Sequence, residues 1–327
     1  MSKIINGSRI AVFPWEEKPA GSDAYVWRYS KNPIISRHPL PKIARIFNSA
    51  VVPFKDGFVG VFRGDGENDI PHLYVGHSKD GIHFSFEKEM IHFVGEDGKI
   101  LPDTCFQYDP RIIPLEGRYY IVYCDDLGGP TISVAVTDDF VKFAKIPTPF
   151  LPYNRNGVLF PRKIDGKYVM LSRPSDSGHT AFGDIFLSES LDLRYWGNHR
   201  LLAQRGYEWW CALKIGPGPY PIETDKGWIL FTHGVNRTCN GYVYSVGVML
   251  LDKDDPSKVI RRGADYFLTP EEDYETIGFV PNVTFPTSAL AHEDGRIAIY
   301  YGAADTHTGI AFTTVDDVLR FLEERGR

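Results

Sequence analysis

The stretch "IIPLEGRYYIVYC" (residues 112–124) sets apolar runs on either side of the pair Glu116-Gly117. Such a pair between two strand-like runs reads as a tight hairpin, because the favoured two-residue turn requires positive φ and glycine adopts it at no steric cost. The same pattern recurs in "AVVPFKDGFVGVFR" (50–63), "VLFPRKIDGKYVMLSR" (158–173), "GPYPIETDKGWILFTH" (218–233) and "SALAHEDGRIAIYYG" (288–302). The corresponding pairs are Asp56-Gly57, Asp165-Gly166, Lys226-Gly227 and Asp294-Gly295. An internal repeat of this kind has to be recognised before any single element is assigned.

Each hairpin is followed by a third strand and, in most copies, an acidic turn: "LYVGHSKDGIHFSF", "ISVAVTDDFVKF", "DIFLSESLDLRYW", "VYSVGVMLLDKDDPSKV" and "GIAFTTVDDVLRF". Hairpin, third strand, turn and outer strand make one four-stranded propeller blade. The sequence therefore predicts an all-β, five-bladed β-propeller spanning residues 1–327 as one domain. In the last copy, Val318, Leu319, Phe321 and Leu322 are spaced for a short C-terminal helix over 316–327. The missing outer strand of that blade is then expected from the N-terminal segment, 1–45, which would close the ring. A β-sandwich with similar hairpins is the competing architecture; repetition in one fixed internal order favours the propeller.

Hydrophobic residues make up 43% of the chain and the net charge is −6, so nothing global suggests a nucleic-acid or membrane partner. No stretch approaches the roughly 20 apolar residues of a membrane span, and the first residues lack the apolar core of a signal peptide. Cys105, Cys124, Cys211 and Cys239 show no C-x-x-C spacing, which suits free thiols in a reducing compartment. A cytoplasmic location is expected. No H-E-x-x-H or similar ligand spacing is present, so no metal is expected; no Walker or dinucleotide glycine motif is present either, so no nucleotide cofactor is expected.

In a hairpin, the residue entering the first strand and the residue leaving the second lie at the same end. Entry positions carry Asn48-Ser49, Tyr108-Asp109, Arg155-Asn156, Lys214 and Asn282. Exit positions carry Arg63 and Asp65, Asp125, Arg173 and Asp176, His233, and Asp305. In a propeller all of these converge on one mouth of the central funnel. Structural roles are open to each one: Asp109 could pair with Arg111, Arg173 with Asp176, Lys214 could snorkel, and Asp305 could serve a turn. Collected at one mouth, the carboxylates, amides and aromatics suit a sugar, and the cluster Arg155, Arg173, Lys214 and His233 suits a phosphate. Sugar together with inorganic phosphate points to phosphorolysis of a glycosidic bond.

The segments "FNSAVVPF", "YDPRI", "GGPTISVA", "NRNGVLFPRKIDGKYVMLSRPSDSGHTAFGDIFLSES", "NGYVYS" and "IAIYYGAADT" resemble glycoside hydrolase family 130, the β-mannoside phosphorylases, along nearly the whole chain. The match falls nearest the branch with mannosyl-N-acetylglucosamine and mannooligosaccharide phosphorylases. This resemblance implies reversible, inverting phosphorolysis of a β-mannoside, with α-mannose 1-phosphate as product and a β-1,4 linkage. It implies Asp109 as the single general acid, acting through the mannose 3-hydroxyl. It implies phosphate binding by Arg155, Arg173, Lys214 and His233. Mannoside contacts are implied for Asn48, Ser49, Arg63, Asp65, Tyr108 and Asp305, with His179 and Tyr242 flanking the acceptor sugar. It also implies a homo-oligomer, with a hexamer as one such assembly, and phosphate as co-substrate with no cofactor. A phosphorylase needs no base to activate water, because phosphate arrives anionic; an inverting hydrolase does. The acid has to be protonated to act, so Asp305 or Asp65 is expected to raise its pKa. A β-mannoside hydrolase on the same propeller, with Asp125 or Asp176 as second carboxylate, is one rival; a propeller acting only as an interaction platform is another.

Overall fold

At Glu116-Gly117 and Asp165-Gly166 both turn residues take positive φ (52° and 76°; 49° and 72°), as the glycine pairs predict. The other hairpins differ. Phe54 pairs with Gly57 and Thr224 with Gly227, so these glycines open the second strand and stand outside the two-residue loop. Their reason is close approach: a Cβ on Gly57 would lie 2.4 Å from the carbonyl oxygen of Ser78, and one on Gly227 2.2 Å from that of Leu251. The third strand crowds both positions, so glycine is required there by packing.

A computed structural model describes residues 2–10, 12–176, 183–239 and 241–327. The strands form five sheets, each ordered from a first strand lining the central channel to a last strand at the rim. Blade 1 is Ile43–Phe54, Gly57–Gly66, Pro71–Ser78 and Phe84–Phe86. Blade 2 is Gln107–Leu115, Arg118–Asp126, Pro130–Thr137 and Phe143–Lys145, with an added fifth strand, Phe93–Val94, running parallel to its rim. Blade 3 is Asn154–Leu159, Tyr168–Pro174, Ile185–Ser190 and Gly197–Ala203. In blade 4 the first strand is broken into Lys214–Pro217 and Ile222–Thr224, both paired with Gly227–Thr238; Gly241–Leu251 and Val259–Arg262 follow. The break falls on "GPGPY", where Pro217 and Pro219 remove two ladder donors. Blade 5 is Thr284–Ala291, Arg296–Ala303 and His307–Thr314, and its rim strand is Trp27–Arg28, antiparallel to His307–Thr314.

The core lies between blades. Five buried apolar clusters occupy the five junctions, for example Val52, Val59, Val61, Ile112 and Tyr123 between blades 1 and 2, and Phe231, Val246, Val248, Ile297 and Ile299 between blades 4 and 5. Each blade therefore buries both faces, which explains why its strands read as near-continuous apolar runs. The C-terminal helix, Val315–Arg325, starts one residue before the expected 316. Thr314 caps it by accepting from the Asp317 N–H at 3.0 Å, and Val315, Val318, Phe321 and Leu322 seat it at the junction of blades 4 and 5. No helix among the described residues is long and apolar enough to cross a membrane.

Candidate active site

The first strands of blades 1, 2 and 3 share a local irregularity. Phe47 pairs with Arg63 and Ala50 with Val61; Tyr108 pairs with Cys124 and Arg111 with Val122; Arg155 pairs with Arg173 and Val158 with Leu171. In each case two residues oppose one, a β-bulge, and the first of the two is left-handed: Asn48 at φ 49°, Asp109 at 52°, Asn156 at 55°. Asparagine and aspartate tolerate this region better than other residues with a Cβ. The bulge turns these side chains out of the blade and toward the channel, which is why an aspartate stands at the entry of a buried strand.

The three bulges open into a cavity of about 360 Å³ lined by Asn48, Arg63, Tyr108, Asp109, Arg155, Arg173, Lys214 and Asp305, together with Asn156, Ser175, Tyr244 and the aromatic rings of Phe106, Phe279 and Phe285. Its walls differ in charge. Blades 5 and 2 supply the carboxyls, Asp305 and Asp109, with Asn48 and Arg63 of blade 1 between them. Asp109 Oδ1 accepts from Asn48 Nδ2 at 2.8 Å and from Arg63 Nη1 at 3.1 Å. Arg63 also holds Asp65 through Nε at 2.8 Å and lies over the Phe47 ring. Blades 3 and 4 supply Arg155, Arg173 and Lys214. Arg155 donates to the Tyr108 hydroxyl, to Ser175 Oγ and to the Asp176 carbonyl. Lys214 stands 5.9 Å over the Tyr242 ring.

Several expected positions fall elsewhere. Asp65 is buried behind Arg63, between it and Arg45, and does not line the cavity. Ser49 is the second residue of the bulge and turns away; its hydroxyl meets Thr308 Oγ1 at 3.5 Å and its carbonyl accepts from Thr287 Oγ1 at 2.8 Å. Asp125 is not at the mouth. Cys124 is the residue in register with Arg63 and Arg173, so period-two alternation sends the Asp125 side chain to the other face, where Thr104, Ser133 and Lys145 take it. His179 lies outside the described residues. His233 is fully buried, with Nε2 at 2.8 Å from Arg173 Nη1. A guanidinium only donates, so Nε2 must be the acceptor and His233 is neutral. Burial, and then Arg173, Arg111 and Lys214, keep its pKa well below the usual histidine value. His233 thus orients Arg173 and adds no charge of its own.

Burial, followed by repulsion from Arg173 and Arg155, lowers Lys214 to about 8. The carboxyl that is pushed up is Asp305: burial raises it, Arg63 opposes, Asp109 and Asp65 add, and the result is about 7. Two residues that sequence reasoning did not place in the site complete it. Arg111 is buried and pairs with no carboxylate; it donates to the backbone carbonyls of Asp109 at 2.7 Å and Gly218 at 3.1 Å, joining blade 2 to blade 4 across the channel. Phe279, half-exposed at the rim, carries the Arg45 guanidinium over its ring at 3.8 Å. Asn156, one of the entry positions named from the repeats, does line the cavity; Phe279, in a loop between blades, left no comparable signal.

A family model described as β-1,4-mannooligosaccharide phosphorylase matches residues 7–324. The chain is 50% identical over 329 residues to a β-1,4-mannooligosaccharide phosphorylase of Ruminococcus albus, covering 98% of each chain. It is 32% identical to a 1,2-β-oligomannan phosphorylase of Thermoanaerobacter, covering 84% of this chain and 92% of that one. Among solved structures, a β-1,2-mannobiose phosphorylase from Listeria innocua in complex with β-1,2-mannobiose superposes with a TM-score of 0.81 at 24% identity, over 92% of this chain and 99% of that one, which establishes the shared propeller. A match of this extent, over the same blades that build the cavity, settles the family: the chain belongs to glycoside hydrolase family 130.

Proposed function

We propose that this protein catalyses the reversible phosphorolysis of β-mannosides, β-1,4-linked mannooligosaccharides or mannosyl-N-acetylglucosamine, to α-mannose 1-phosphate with inversion. The observation that carries this reading is the division of the cavity: the bulge aspartate Asp109 on one side, and Arg155, Arg173 and Lys214 on the other. The cationic half offers charge-assisted bonds to phosphate oxygens and holds the nucleophile in an acidic protein that repels it elsewhere. The acidic half takes the mannosyl unit, with Asn48, Arg63, Tyr108 and Asp305 in reach of its hydroxyls. Asp109 serves as general acid, its proton passing to the glycosidic oxygen through the mannose 3-hydroxyl, and Asn48 and Arg63 fix its carboxyl for that task. Tyr242 and the rim ring of Phe279 suit the acceptor sugar, whose faces stack on aromatics. Phosphate is the co-substrate, and the scheme uses no cofactor. The proposal extends to a cytoplasmic location, tested by fractionating cells, and to a homo-oligomer, tested by light scattering of the purified protein. The identity with the Ruminococcus albus enzyme supports the 1,4 linkage.

The decisive experiment measures products from β-1,4-mannobiose with and without phosphate. Mannose 1-phosphate should form only with phosphate, and Arg173→Ala should lose about 10²–10³-fold of that rate, chiefly as a raised KM for phosphate. Equal turnover without phosphate would install the hydrolase instead.

A further inference from the structure

Asp305 occupies the tip of the hairpin between Arg296–Ala303 and His307–Thr314, where Ala303 pairs with His307. Ala304 and Asp305 are both left-handed, at φ 47° and 45°, although neither is glycine. Such conformations are strained for residues with a Cβ and persist where the surroundings impose them. Here the surroundings do: Thr306 Oγ1 donates to the Ala304 carbonyl at 2.9 Å and accepts the Phe279 N–H at 2.8 Å, and the Val280 N–H bonds the same carbonyl at 3.2 Å. The strained tip aims the Asp305 carboxyl into the cavity.

A turn aspartate ordinarily accepts from backbone N–H groups just ahead of it, as Asp80 does from Ile82 and His83. Asp305 accepts none, and no described residue hydrogen-bonds its side chain. The charged groups that face it are Arg63, Asp65 and Arg45 from blade 1 and Asp109 from blade 2, with the Tyr244 hydroxyl from blade 4. Arg63 is already committed to Asp65 and Asp109, and Arg45 to Asp65 and Asp69. Three carboxyls therefore crowd two engaged guanidiniums, and the one without a cation of its own is Asp305.

We propose that Asp305 works as a neutral carboxylic acid that donates a hydrogen bond to the mannosyl unit, and that its ionisation sets the alkaline limit of mannoside binding. This rests on the phosphorylase reading for the identity of the sugar. The neutral form offers one donor and one acceptor to a pair of sugar hydroxyls. The ionised form would place a negative charge among the neighbouring carboxyls with no cation left to balance it. The value near 7 for this group agrees with that geometry. Asp305 is thus a positioning residue for the sugar, distinct from the acid that performs the cleavage.

The test is calorimetric titration with a thioglycosidic β-1,4-mannobiose, which resists cleavage, in phosphate-free buffer from about pH 5.5 to 9. Wild-type affinity should be flat at low pH and weaken above about pH 7, by at most about tenfold per pH unit if only the neutral acid binds. Asp305→Asn, an amide that donates at every pH, should bind with no such fall, whatever its absolute affinity. Carbon-13 NMR of labelled aspartate should show one carboxyl titrating near 7 in the wild type and missing from Asp305→Asn. A pH-independent wild-type affinity, or an unchanged fall in Asp305→Asn, overturns the proposal. Since the probe is neither cleaved nor phosphate-dependent, failure of the phosphorylase reading would show in the product assay and not here.

Discussion

Lys214 illustrates how one side chain can be tuned by its place in the cavity. It is buried beside two arginines, and both effects disfavour its charge, bringing it to about 8. The sign follows directly: Lys214 is cationic below about 8 and loses its charge as pH rises through that value. The phosphate site then loses one of three positive charges, while the sugar side is untouched. The KM for phosphate should accordingly rise between about pH 7.5 and 9.5, with the affinity for an uncleavable mannoside unaffected by this group. Lys214→Arg keeps its charge throughout and should show no such rise, even if its absolute activity is lower. An unchanged pH dependence in Lys214→Arg would remove Lys214 from the phosphate site. An arginine keeps its charge over this range, which separates the arginine contribution to the site from that of the lysine.

At the scale of the strand, the three bulges decide where the chemistry stands, and they rest on what lies opposite. Asn48 fits only because blade 5 presents Gly302: a Cβ there would lie 1.9 Å from Asn48 Oδ1. Gly302→Ala should push Asn48 off Asp109 and forfeit a bond to the catalytic carboxyl, about 1.5–3 kcal/mol in kcat/KM. In an Asn48→Gly background, which suits the left-handed position, the same change should add little, because its target is gone. Additive losses in this double-mutant cycle would refute the coupling. The hairpin repeat, the blade count and the entry residues were legible in the sequence, because apolar alternation and glycine turns are local signals. Asn48, Tyr108, Asp109, Arg155 and Lys214 line or flank the cavity for that reason. The bulges were not legible, since an extra residue in one strand leaves the apolar pattern almost unchanged. Hence Ser49, beside the cavity-lining Asn48, reads as a site residue although it turns away. Asp125 reads as one for a different reason: it stands one residue past Cys124, the position in register with Arg63 and Arg173, so alternation sends it to the other face. The neutral state of His233 was hidden for another reason. It depends on Arg173, which is remote in sequence and meets it only when blades 3 and 4 pack.

At the scale of the whole molecule, the ring is closed by Trp27–Arg28, and the closure reaches the cavity. Arg28 donates through Nε and Nη2 to the two oxygens of Glu275, at 2.8 and 2.9 Å, and Nη2 also holds the Thr269 carbonyl. Glu275 is fully buried; it also accepts from the Tyr301 hydroxyl and from the N–H groups of Glu271 and Glu272. The Glu275 carbonyl in turn takes the Val283 N–H, at the end of the loop whose Phe279, Val280 and Val283 line the cavity. One ion pair thus joins the N-terminal strand, the blade 4–5 connection and the sugar side of the site. Arg28→Met removes the cation and leaves a buried carboxylate with no charge to balance it, which typically destabilises by about 3–5 kcal/mol. The exposed pair Arg118–Asp138 has comparable geometry, with Nε to Oδ1 at 2.7 Å, but solvent already stabilises both charges. Arg118→Met should therefore change stability by less than about 1 kcal/mol. Denaturant unfolding of the two variants measures that difference, and equal stabilities would mean that the closing strand carries no special load. The second readout is functional. If the closure positions the loop, Arg28→Met should weaken mannoside binding at temperatures where the protein is still fully folded, whereas Arg118→Met should not. Loss of stability with unchanged mannoside affinity would confine Arg28 to holding the ring shut.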